Sequence, residues 1–110
     1  MNKRIIFLAG LALAASVAHA DPVADKLVGQ FWFLHDQHAG RMEQCIAGLA
    51  IQQRATQLQD AQLYNTWKDP SELAFERDMK AAGMDPFAKN HTKAENAKIS
   101  QILSNLPSCN

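Results

Sequence analysis

Between Phe31 and Cys45 the chain reads FWFLHDQHAGRMEQC, and here His35, Asp36, His38 and Cys45 are residue types that carry acid–base, metal or nucleophilic chemistry. On a helix, His35 and His38 lie three apart on one side, near enough to share a metal, with Asp36 or the distant His91 to complete a shell. A structural zinc site takes four ligands at recognised spacings, and this stretch supplies two without a convincing third. The pattern predicts solvated histidines near a helix end, where positive charge is favoured, and no metal. No G-x-S-x-G, H-E-x-x-H or C-x-x-C-H occurs. The expectation is therefore a protein with no catalytic residue and no cofactor, not an enzyme.

Cys45 has one possible partner in the chain, Cys109. Residues 1–20, MNKRIIFLAGLALAASVAHA, carry Lys3 and Arg4, an apolar run from Ile5 to Ala15 and a closing Ala18-His19-Ala20, the pattern of a cleaved secretory signal. Export to an oxidising compartment makes a Cys45–Cys109 disulfide the expected state, ahead of two free thiols or an intermolecular bridge. Such a bridge also removes a Cys-His nucleophile pair from consideration.

The expected mature chain, residues 21–110, is one small domain. Without Lys3 and Arg4 it has nine basic against eleven acidic residues, a net charge of −2 with histidine neutral. That balance lacks the basic footprint of a nucleic-acid binder. No later segment is apolar and long enough to cross a membrane, so no membrane association is expected after signal cleavage.

The elements that must position FWFLHDQHAG are helices. Asp-Pro occurs at Asp21-Pro22, Asp69-Pro70 and Asp85-Pro86, each ahead of a helix-like segment. Aspartate accepts from first-turn amides, and proline at the first helical position loses nothing by lacking an N–H. Thr92-Lys93-Ala94-Glu95 is a capping box. The spacing predicts a first helix from Pro22 to near Ala39 with Val23, Leu27, Phe31 and Leu34 as its apolar stripe, and a break at Gly40. A second helix is predicted from Arg41 to Trp67, apolar at Met42, Cys45, Ile46 and Leu49, with a glutamine-rich middle. A third runs from Pro70 to about Ala82 and closes at Gly83; a fourth carries Ile99, Ile102, Leu103 and Leu106 and stops before Pro107.

In a regular up-down bundle, the start of the second helix and the end of the fourth lie at opposite ends, beyond the reach of a disulfide. The fold expected is thus all-α, an irregular bundle of about four helices with one disulfide, in which either the second helix is broken near Gln53 to Gln57 or a short third helix crosses the others obliquely.

Successive helical residues turn by about 100°, so Phe31 and Trp32 cannot share one groove. Two readings follow: the small domain wraps the first helix on two sides, or Trp32 and Phe33, with His35 and Asp36, form a partner-facing set, since interface anchors favour tryptophan. In plan the chain resembles the small periplasmic immunity proteins that protect bacteria from delivered toxins, among them the helical inhibitors of cell-wall amidases. The features that carry this are the signal sequence, Cys45-Ile46-Ala47-Gly48 on a helix and the closing Leu106-Pro107-Ser108-Cys109. The resemblance implies a periplasmic protein that stoichiometrically blocks a secreted toxin. The competing readings are a periplasmic stress chaperone and a small-ligand binding protein.

Overall fold

The computed structural model describes residues 21–110; the expected signal sequence lies outside them. Five helices follow one another: α1 Pro22–Asp36, α2 Arg41–Leu58, α3 Ala61–Trp67, α4 Pro70–Ala81 and α5 Lys93–Ser104. Among the described residues there is no strand, and no helix is long and apolar enough to cross a membrane.

Side-chain caps fix most starts. Asp21 accepts from Ala24 N, Asp69 from Glu72 N, and Thr92 and Glu95 exchange both bonds of a capping box. The third Asp-Pro departs from expectation: the Asp85 carboxylate accepts from Phe87 N at 2.9 Å and shapes a turn, leaving Thr92 to start α5.

The fifth helix arises because the expected Arg41–Trp67 helix is broken, slightly later than expected. Gln59 adopts a left-handed conformation (φ 54°), and Asp60 accepts from Leu63 N to start α3. At the end of α1 the left-handed residue is His38 (φ 55°), two residues before the expected break, while Gly40 precedes α2 as its N-cap. Gly83, at φ 79°, closes α4 as its backbone freedom allows.

The main core joins α1, α2 and α3 through Ala24, Phe31, Ile51, Ala55, Leu63 and Trp67. Phe31 meets the rings of Trp67 and Trp32 edge to face, each with centroids 5.0 Å apart. Gly48 lets Pro70 approach: a Cβ there would lie 2.7 Å from the proline Cγ. Ala74, Met79 and Met84 are buried in and just beyond α4, whereas α5 buries no residue along its length.

The apolar stripes differ from expectation. On α1 the buried positions are Ala24, Phe31 and His35, with Leu27, Val28 and Trp32 packed alongside, and Val23 is exposed. On α2 the interior holds Gln44, Cys45, Gly48, Ile51 and Ala55, while Met42, Ile46 and Leu49 are 46 %, 60 % and 50 % exposed. Helix α2 thus buries a glutamine and a glycine while presenting three large apolar side chains outward.

The Cys45–Cys109 disulfide is present, with Cα atoms 5.4 Å apart. Three hydrogen bonds hold the same C-terminal tail: Arg41 Nε donates to Leu106 O at 2.7 Å, Ser108 N to Arg41 O at 3.0 Å and Ser71 Oγ to Pro107 O at 2.6 Å.

Candidate functional site

The histidine singled out by sequence lies at a polar junction of four helices. His35 Nδ1 faces Gln44 Oε1 at 2.8 Å and Nε2 faces Asp78 Oδ2 at 2.7 Å. The surroundings set the amide orientations. Gln44 Nε2 donates to Ala39 O (2.9 Å) and Asn105 Oδ1 (3.2 Å), so its oxygen turns to the ring, and Asn105 Nδ2 donates to His35 O at 3.0 Å. Both ring nitrogens therefore face oxygen atoms. The C-terminal ends of α1, α4 and α5 meet here.

This overturns the expectation of a solvated, partner-facing His35. The side chain is 1 % exposed and lies beneath the surface. The reason is long-range: Asp78 and Asn105 reach it from 43 and 70 residues away. His38 is exposed, on the rim of a cleft of about 460 Å³ that also reaches Asp36, Asp78 and Lys98. Among the described residues, no group of three His, Cys, Asp or Glu side chains is placed to hold a metal.

The other three partner-set residues share the outer side of α1. Trp32 is half-buried, in correction of the free anchor expected opposite Phe31. Its ring lies 5.5 Å from Trp67 and 5.8 Å from His35, and the Arg77 guanidinium sits 4.1 Å above it. The rotation of 100° holds, but α3 brings Trp67 into the angle between Phe31 and Trp32 and gives both a neighbour. Phe33 stands out at 64 % exposure. With Gln30, Leu34 and Ala47 it lines a groove of about 580 Å³ between α1 and α2. Asp36 is exposed and accepts from Arg77 through both oxygens, at 3.0 and 3.2 Å.

The fork has an electrostatic signature. Hydrogen bonds from Arg77 hold the Asp36 carboxyl below its ordinary range, and the same bonds push the guanidinium up. Arg54 lowers Asp21 in the same way, joining the start of α1 to α2. Sequence reading missed Arg77, Asp78, Gln44 and Asn105. A lone arginine or glutamine in a mixed-charge helix carries no mark of its distant partner.

The comparisons with known proteins gave no match to a family model, a curated protein or a solved structure.

Proposed function

We propose that this chain is an exported binding protein of the periplasm, an immunity protein that occupies a secreted antibacterial toxin and inhibits it one to one. The carrying observation is that α2 is apolar on two sides: Cys45, Ile51 and Ala55 are buried inward with Gln44 and Gly48, while Met42, Ile46 and Leu49 recur at i, i+4 and i+7 on its exposed side. Large apolar side chains at helical spacing without an internal partner mark an interaction surface. Phe33, exposed beside its own groove between α1 and α2, adds a further outward apolar side chain.

The surface is also firmly held. Its two helices pack through Phe31 and Ile51, and the disulfide anchors the first turns of α2. Pre-organisation of this kind favours one well-fitted partner over the adaptable surface of a chaperone. His35 has both ring nitrogens engaged within the fold, which supports binding over catalysis.

The test places a photo-crosslinking residue at Phe33 or Ile46 in protein expressed in its native periplasm. One exported hydrolase or pore-former should be captured at 1:1, its toxicity should be relieved by co-expression, and Ile46→Asp should abolish both effects without unfolding the chain. Capture of many unrelated proteins, with suppression of their aggregation, would instead identify a chaperone.

A further inference from the structure

Beside Phe33 the structure offers a second, polar contact that depends on the spare donors of one arginine. Arg77 grips Asp36 end-on, Nη1 to Oδ1 and Nη2 to Oδ2, and Nη1 also approaches Asp78 Oδ1 at 3.6 Å. A guanidinium carries five N–H donors in a fixed plane. The remaining edge, Nε–H with the outer N–H of Nη2, has no acceptor among the described residues. That edge has the shape that takes a carboxylate side-on through two parallel bonds.

The guanidinium is held ready for such a contact. It stacks 4.1 Å above the Trp32 ring, Asp36 fixes its rotation, and its side chain remains 42 % exposed. Tryptophan and arginine together are the residue types that dominate binding energy at protein interfaces. Both nearby carboxylates are already engaged, Asp36 by the fork and Asp78 by His35, and Lys98 lines the same cleft.

We infer that the Nε–Nη2 edge of Arg77, stacked on Trp32, receives an aspartate or glutamate side chain of the partner protein next to the Phe33 groove. This assignment rests on the proposed binding function and adds the chemistry of the partner's contact residue. It also returns Trp32 and Asp36 to the interface in altered roles: Trp32 is the floor beneath the arginine, and Asp36 is its clamp.

The experiment uses the complex captured through Phe33. Arg77→Lys keeps the charge and loses the planar fork, and should weaken binding by about 30-fold or more while the melting temperature stays close to that of the wild type. Changing the partner's interface acids singly to their amides should reveal one with a comparable loss, non-additive with Arg77→Lys in a double-mutant cycle. If Arg77→Lys fails to fold, the partner scan against the wild-type chain decides. Binding within twofold for Arg77→Lys, or no partner acid costing more than about fivefold, overturns the assignment while Ile46→Asp can still uphold the binding function. If the wild-type chain captures nothing, the binding function fails and the assignment falls with it.

Discussion

Helices α1 to α3 bury Phe31, Ile51, Leu63 and Trp67 in one apolar cluster, whereas α5 buries no residue and is held by ties at its end. Those ties are Asn105 at the His35 junction, three hydrogen bonds to the tail and the Cys45–Cys109 bridge. Apolar burial is non-directional and scales with area, so the first region tolerates rearrangement and still coheres. Directional ties each depend on one atom pair, and a buried polar group that loses its partner is left at a cost. The α1–α3 region should therefore carry global stability, and the α4–α5 layer should open first.

The sharpest break of this contrast is Phe31→Ala. The ring is fully buried between Trp67, Trp32 and His35, so its removal leaves a cavity and should cost about 3–5 kcal/mol, read as a fall in the urea midpoint of the whole chain. A transition that loses α3 alone would show that the three helices are not one cooperative unit.

Next comes Cys109→Ser. The bridge spans 64 residues, and loop-closure entropy puts its stabilisation at about 4 kcal/mol as an upper figure. Its effect should be uneven. Hydrogen exchange should accelerate most in α5 and the tail, with Ile51 and Phe31 amides the last to lose protection. Uniform acceleration along the chain would erase the distinction between the two regions.

What sequence reading reached, and where it stopped, follows the same divide. Local chemistry was legible: Asp21-Pro22, Asp69-Pro70, the Thr92–Glu95 box and Gly83 all act within four residues, and each does what its type predicts. The disulfide was legible because two cysteines allow one pairing. The inward face of α2 was not. Apolar periodicity pointed to Met42, Cys45, Ile46 and Leu49, of which Cys45 alone is buried; the inward face also holds Ile51 and Ala55, Gln44, which bonds His35 and Asn105, and Gly48, which admits Pro70. A helix that is apolar on two sides does not declare by periodicity alone which side is inward. In the candidate site Phe33 and Asp36 are exposed, while His35 is buried against Asp78 and Gln44.

Gly48→Ala probes the seam between the regions with a smaller expected effect. The added methyl would meet the Pro70 ring at 2.7 Å, and a ring cannot swing aside as a chain end can. Overpacking of this kind costs about 1–3 kcal/mol, less the helix-propensity gain of about 1 kcal/mol of alanine over glycine. The loss should appear in thermal melts and should shift Pro70 and Ser71 resonances more than those of Leu63. An unchanged or raised melting temperature would show that the α2–α4 seam is loosely packed.

The smallest effect concerns the Asp36–Arg77 fork, the exposed tie from α1 to α4. Because Arg77 lowers the Asp36 carboxyl in the folded chain, the unfolded chain binds that proton more readily. The fork's contribution is therefore fully present above the ordinary aspartate range and is lost as pH falls through the lowered folded value. With both side chains about half exposed, solvent screening limits it to less than about 1 kcal/mol. Asp36→Asn isolates it, since the Asp21–Arg54 pair, which shifts in the same direction, remains in both proteins. The wild type should have the higher urea midpoint at neutral pH, and the difference should close on acidification and narrow in high salt. A difference that widens in acid would mean that Asp36 acts against the fold, and that α4 is held to α1 by the buried His35–Asp78 contact without help from the surface.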